Sequence, residues 1–222
     1  MSVRAASEPR AMAPNTAGME RLLLERDEEP LADLVAREIA DLEMRGPFLD
    51  IGTGTGIWVS MVERAGEMAC GIDMLPSVLH AGRERYGLRT LVLGDGSRLP
   101  FRDGAFHWVQ LREVLEHVDA DRGAALLLEV RRVLALDGTL RLTTPNRLKY
   151  AAPARQVARG VAGLAGRSDD PAHIHEYWPW ELRCALRQAG FRIDVFRFRA
   201  PNRYLPLRWL AAGMDVRART AA

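Results

Sequence analysis

Apolar residues recur at helical spacing in the first part of the chain and then give way to short apolar runs alternating with helical stretches. Between Met19 and Met44 the helical set is Leu22, Leu23, Leu31, Leu34, Val35, Ile39 and Leu42. Pro30 divides this stretch into two helices, because an interior proline breaks a turn. Phe48 to Ile51 reads as a buried strand, followed by glycines and a helix over Ile57 to Arg64. Met68 to Ile72 is a second strand, and Pro76 opens a helix that runs to Tyr86. Thr90 to Leu93 and Phe106 to Leu111 are the third and fourth strands. A helix over Ala120 to Ala135 then ends near the turn Asp137-Gly138, and Thr139 to Thr144 is the fifth strand. Strands and helices in alternation predict an α/β fold, with a mostly parallel sheet covered by helices on both faces.

After Pro145 the rhythm is lost. Asn146 to Pro171 is basic and rich in small residues, and reads as an insertion. Trp180 to Gln188 predicts a helix stopped by Gly190, and Phe191 to Phe198 a strand. Met214 to Arg219 is expected as a seventh, antiparallel strand at the sheet edge. The expected organisation is a tail over 1–18 and a single domain over 19–222. Within the domain, 19–46 forms a helical cap, 47–144 the core, and 145–222 the insertion and C-terminal part. The 222 residues are enough for an α/β core without staples.

Composition narrows the classes. No apolar run approaches the roughly 18–20 residues of a membrane span, and the Ala- and Pro-rich start lacks the apolar segment of a signal peptide. Cys70 and Cys184 form neither a disulfide framework nor a metal quartet. A cytoplasmic enzyme is the expectation. The net charge of +2 conceals an asymmetry: residues 1–140 hold 16 basic and 23 acidic side chains, and residues 141–222 hold 15 and 6. A basic block can attract an anionic partner, or it can be a solvated face.

The candidate chemistry begins at Gly52-Thr53-Gly54-Thr55-Gly56, directly after the first strand. In an open parallel sheet, ligands sit beyond the carboxyl ends of the strands, where strand order reverses. The dinucleotide fingerprint G-x-G-x-x-G would put its third glycine at position 57, which is Ile57 here. Asp73 closes the second strand, suited to accept from two ribose hydroxyls. Asp95-Gly96 closes the third, followed by Leu99-Pro100-Phe101, where an acid can read an adenine amino group beneath apolar cover.

With these segments, together with Glu113-Val114-Leu115-Glu116-His117-Val118 and Glu129-Val130-Arg131-Arg132-Val133-Leu134, the sequence resembles the class I S-adenosylmethionine-dependent methyltransferases typified by ubiquinone and other small-molecule methylases. The resemblance covers about Phe48 to Phe191 and implies a Rossmann-like, doubly wound seven-stranded sheet. It implies S-adenosyl-L-methionine as cofactor, with Asp50 helping to hold the methionine ammonium. Gly52, Thr53, Gly54 and Gly56 would line the cofactor. Asp73 would bind the ribose beside Met74, Asp95 and Gly96 would read the adenine, and Leu111 would offer backbone contact. The family usually has Phe-Asp where this chain has Phe106-His107, a position away from the ligand edge.

On the acceptor side, methyl transfer asks chiefly for alignment and exclusion of water, with a base for an oxygen nucleophile. The candidates are His117, His175 and Tyr177. For His117 the preferred reading is a helix-surface histidine, with a base as the functional alternative. His173-Ile174-His175-Glu176-Tyr177 reads as a pocket wall or a structural lid; for a metal reading it lacks a partner motif of ligand spacing, so no metal is expected. Asn146 faces the same cleft by topology. The expected acceptor is a small metabolite or a lipid- or sugar-linked intermediate, in which an anionic group would suit the basic third, methylated at oxygen. The run Phe196 to Trp209 mixes arginines with aromatics and suits a membrane surface, an anionic substrate, RNA or a solvated edge. The alternatives are an RNA methyltransferase and a scaffold that binds the cofactor without turnover. RNA ranks second, because no Asn/Asp-Pro-Pro-aromatic or Pro-Cys motif follows the fourth strand.

Overall fold

A computed structural model describes residues 16–25, 29–41, 44, 46–150, 172–199 and 213–221. Residues 1–15 of the expected tail, most of the insertion after Pro145 and residues 200–212 lie outside the described residues, as do the side chains of Leu22, Leu31, Leu34 and Leu42, whereas residues 16–18, also assigned to the tail, already belong to the first helix. The chain opens with helices α1 (Thr16–Glu25) and α2 (Glu29–Asp41), so Pro30 falls in the first turn of α2, where its missing N–H costs nothing. There follow β1 (Phe48–Ile51), α3 (Ile57–Arg64), β2 (Ala69–Asp73), α4 (Pro76–Tyr86), β3 (Leu91–Leu93) and β4 (Phe106–Arg112). After a 3-10 turn (Leu115–His117) come α5 (Ala120–Val133) and β5 (Leu134–Pro145). A second 3-10 turn (Arg147–Tyr150) precedes the segment 172–178, α6 (Pro179–Gln188), β6 (Phe191–Arg199) and β7 (Gly213–Thr220).

The sheet order is β3-β2-β1-β4-β5-β7-β6, with β7 antiparallel to both neighbours and the pairs from β3 to β5 parallel. Strand order reverses between β1 and β4, which places the glycine loop at the crevice an open α/β sheet presents to ligands. Two apolar clusters cover the faces. Phe48, Val35, Ile39, Trp58 and Val62 join α2, α3 and α4 on one side. Leu49, Leu111, Leu126, Leu127, Val130, Leu182 and Leu186 join α5 and α6 on the other.

Two expectations are corrected. The seventh strand is antiparallel but not at the edge: it lies between β5 and β6, and β6 is the edge. Burial explains the exchange, because Met214, Val216 and Ala218 are fully buried, whereas β6 alternates with exposed Arg192, Asp194, Arg197 and Arg199. The helix before β5 stops at Val133, and Leu134 already pairs with Phe106. Residues Ala135 to Gly138 are then a bulge, since pairing resumes at Trp108 with Thr139. Buried Leu134 seats in the core, which outweighs the turn signal of Asp137-Gly138.

Candidate active site

The glycine loop turns back over the carboxyl end of β1 with left-handed backbone at Gly52, Gly54 and Gly56. A Cβ on Gly52 would meet Val114 Cγ2 at 2.5 Å, so this residue also lets the loop approach the end of β4. Beneath the loop, Asp50 is buried; it accepts a hydrogen bond from Thr53 Oγ1 at 2.9 Å and one from Gln110 Nε2 at 3.1 Å. Burial pushes its carboxyl up to about 6 against the opposing effect of these two bonds. Asp73 accepts from Gly54 N at 2.9 Å and from Leu75 N at 3.0 Å, joining the end of β2 to the loop. Burial raises its pKa as well. Met74 beside it is exposed.

Asp95 is exposed and forms a tight turn, accepting from Ser97 N and Ser97 Oγ, each at 2.8 Å. Gly96 lies against Ile51 and Leu126, both 2.9 Å from where its Cβ would stand. Leu111 is buried in β4, opposite Ile51. The expected cofactor residues therefore converge on one edge of the sheet, along the ends of β1, β2 and β3. Over the same edge lies α1: Leu23 is 3.5 Å from the Cβ position of Gly54, and Ser77 Oγ of α4 donates to Glu20.

Two contributors, Gln110 and Gly82, were not identified from the sequence, and a third, Arg132, was quoted there within a motif but without a role. Gln110, fully buried, holds Asp50 and is itself met by Arg141 Nη1 at 3.3 Å. Gly82 brings α4 against the loop so closely that a Cβ would stand 2.1 Å from Thr55 O. Arg132 donates to Leu99 O, Phe101 O, Asp103 and Glu129, while Glu129 accepts from Leu99 N. The two residues clamp the turn that follows Asp95, which gives the matched motif Glu129 to Leu134 a physical purpose. Hydrogen bonding by Arg132 holds Glu129 below the usual carboxylate range.

Beyond β4 the backbone of Glu113 takes φ 54, the only left-handed non-glycine among the described residues. Its carboxylate accepts from Thr143 Oγ1 at 2.9 Å. The next turn places Glu116 wholly inside, with Oε2 accepting from Thr144 Oγ1 at 2.9 Å. Glu116 Oε1 has no hydrogen-bond partner among the described residues. Burial, and then Glu113, push the Glu116 carboxyl well above its usual range. The segment 172–178 is strapped across this turn by Ile174 N and His175 N, which donate to Glu116 O at 2.7 and 3.1 Å.

That strap brings His117 and His173 together, ring centroids 5.1 Å apart. His117 is therefore part-buried in a cluster rather than a helix-surface residue. The partner that His173 lacked in linear spacing is supplied by the fold: Glu116, His117 and His173 offer ligand atoms all within 4.8 Å of one another. His175 bonds Glu181 Oε1 at 2.7 Å and meets the Tyr177 ring edge-on. Tyr177 is buried with its hydroxyl against Gly123 of α5, and burial pushes its phenol up to about 12. Asn146 is buried and accepts from Leu148 N at 3.0 Å. His107 lies at the opposite end of β4, as expected of a residue remote from the ligand edge.

Residues 49–142 match a family described as "Methyltransferase domain". The chain is 32% identical over 164 residues to a malonyl-[acyl-carrier protein] O-methyltransferase of Geobacter sulfurreducens, covering 67% of this chain and 57% of that protein. It is 33% identical over 162 residues to a demethylmenaquinone methyltransferase of Tropheryma whipplei, covering 65% of each. The matched part thus spans under two thirds of either relative. A solved methyltransferase structure from Archaeoglobus fulgidus shares the fold, with a TM-score of 0.66 at 16% identity over 93% of this chain and all of that one. The sheet order, the glycine loop with an acid at each of three strand ends, and these similarities agree: over residues 49–142 the chain carries a methyltransferase domain, in the fold of the class I S-adenosylmethionine-dependent methyltransferases.

Proposed function

We propose that the chain transfers the methyl group of S-adenosylmethionine to an oxygen of a small metabolite or of a lipid- or sugar-linked intermediate. The observation that carries this is the convergence of Asp50, Asp73 and Asp95 around a glycine loop, beside a polar turn at the ends of β4 and β5. The relatives named for a carrier-linked acid and a quinone precursor support the acceptor class. Bound there, the cofactor supplies a methyl group activated by a sulfonium. Asp50 holds the methionine ammonium, either directly or by fixing Thr53, and Gly52, Gly54 and Gly56 let the backbone close on the ligand. Asp73 receives the ribose hydroxyls beside Met74, Asp95 and Gly96 read the adenine, and Leu111 contributes its backbone. On the acceptor side, His117 sits beside His173 in the turn that follows β4 and is the candidate base. His175 and Tyr177 act through position, one braced by Glu181 and the other packed against α5.

Arginines of β6 and β7 meet carboxylates: Arg219 and Arg192 meet Asp194, and Arg199 meets Glu113. This engagement supports a small acceptor over RNA. Titration calorimetry with S-adenosylmethionine against NAD tests the cofactor site. Asp73→Ala should weaken S-adenosylmethionine by roughly 10-fold or more, the loss of a charged hydrogen-bond acceptor being about 1.5–3 kcal/mol. Equal affinity in the variant would remove the ribose role, and turnover across a panel of hydroxylated acceptors separates an enzyme from a scaffold.

A further inference from the structure

We propose that Glu116, His117 and His173 form a binding site for a divalent transition-metal ion of the zinc class, placed at the ends of β4 and β5 to hold the acceptor oxygen. The three residues come from two segments more than fifty residues apart, yet their ligand atoms lie within 4.8 Å of one another. Two histidines and one carboxylate are a donor set that catalytic zinc sites use, leaving a coordination position for another oxygen.

Three independent features support the assignment. First, both imidazoles are oriented from behind. His117 Nδ1 lies 3.1 Å from Ala172 O, and His173 Nδ1 lies 2.8 Å from Glu176 Oε1, itself 3.1 Å from Lys149 Nζ. A ligating histidine is ordinarily fixed this way, one ring nitrogen held by a carbonyl or carboxylate and the other turned to the metal. Second, Glu116 is wholly buried, with Oε1 unpartnered among the described residues. A buried carboxylate oxygen without a donor is costly, and a cation relieves it. Third, the backbone is arranged around the cluster rather than around either histidine alone. Ile174 N and His175 N both donate to Glu116 O, so the strap that delivers His173 is tied to the turn that delivers His117.

The inference deepens the reading of oxygen methylation and rests on it for the role of the ion, though not for its binding. An acceptor hydroxyl that ligates the ion loses its proton to water at lower pH. Its oxygen then forms a bond to the methyl carbon as the carbon–sulfur bond breaks, and the released electron pair neutralises the sulfonium.

The test uses the full, tag-free chain stripped with a chelator and dialysed. Titration with Zn²⁺ should give close to one ion per chain, and Co²⁺ should give visible absorption bands of a low-symmetry site, whereas Mg²⁺ at the same concentration should give neither. His173→Gln and Glu116→Gln should each lower Zn²⁺ affinity at least 10-fold while leaving S-adenosylmethionine affinity within 2-fold. The cofactor measurement doubles as the check that the variants fold. A wild-type chain that retains S-adenosylmethionine affinity but binds no Zn²⁺ overturns the metal site alone. Equal Zn²⁺ affinity in His173→Gln and wild type overturns it too. Loss of cofactor binding in the wild type would count against the methyltransferase reading instead.

Discussion

At the scale of single residues, Asp50 carries the clearest pH signature. Its folded-state pKa is raised by burial to about 6, so between pH 4 and 6 the folded chain binds the extra proton. This group therefore lowers stability as pH rises through that window and leaves it reduced above about 6. Ligand binding runs the other way, because an ammonium partner needs the carboxylate. S-adenosylmethionine affinity should fall as pH drops below about 6, by up to about 10-fold per pH unit. Asp50→Asn should bind more weakly and lose that dependence; a wild-type affinity flat from pH 7 to pH 5 would reject the ammonium role. The acid at each strand end was legible in the sequence because those acids follow short apolar runs at regular intervals. Gln110 was not, since a glutamine within a strand carries no signal until a neighbouring strand places Asp50 beside it. His173 likewise acquires Glu116 and His117 only through the strap, a contact that no local spacing encodes.

Among elements, the turn after β3 and helix α4 show how the site is held from outside. Arg132→Ala removes the bonds to Leu99 O, Phe101 O and Asp103 together. Amide exchange at residues 99–103 should accelerate and S-adenosylmethionine should weaken several-fold, with little change in the protection of β1 and β4. Gly82→Ala sets two effects against each other. Alanine is favoured in a helix by about 1 kcal/mol over glycine, but its Cβ would stand 2.1 Å from Thr55 O, and backbone cannot yield as a side-chain tip can. Overpacking of this kind costs about 1–3 kcal/mol, so the net prediction is a lower Tm and weaker cofactor binding, read by calorimetry. The boundaries of β1, α3 and α4 were legible because glycine and proline punctuate them. The start of β5 was not, because Leu134 is chosen by the core it enters rather than by its flanking residues.

For the molecule as a whole, Arg141 ties the helical cap to the sheet. It is buried, lies over the Trp58 ring, and reaches Glu38 of α2 at 2.9 Å and Asp215 of β7 at 3.8 Å. Glu38→Gln should destabilise the fold by about 3 kcal/mol, since removing one partner leaves a buried charge undercompensated. Thermal melting checks this, and a change below about 0.5 kcal/mol, the range of an ordinary surface substitution, would reject it. The sheet class was readable from the alternation of strands and helices. The exchange of the last two strands was not, because both carry apolar residues at period two and only the depth of burial separates them.

That exchange also bears on the order in which the chain can be assembled during synthesis. Within the sheet β6 has β7 as its hydrogen-bonded neighbour, yet β7 is made later. A growing chain in which the cofactor half has already formed must therefore leave the backbone edge of β6 open, and β5 uncapped, until the following strand emerges. Domains tend to fold as units while the ribosome is still at work, with open strand edges the point of vulnerability. The arginines of β6 then have a use beyond their ion pairs in the folded chain: charged side chains along an unpaired strand discourage it from pairing with another copy while it waits.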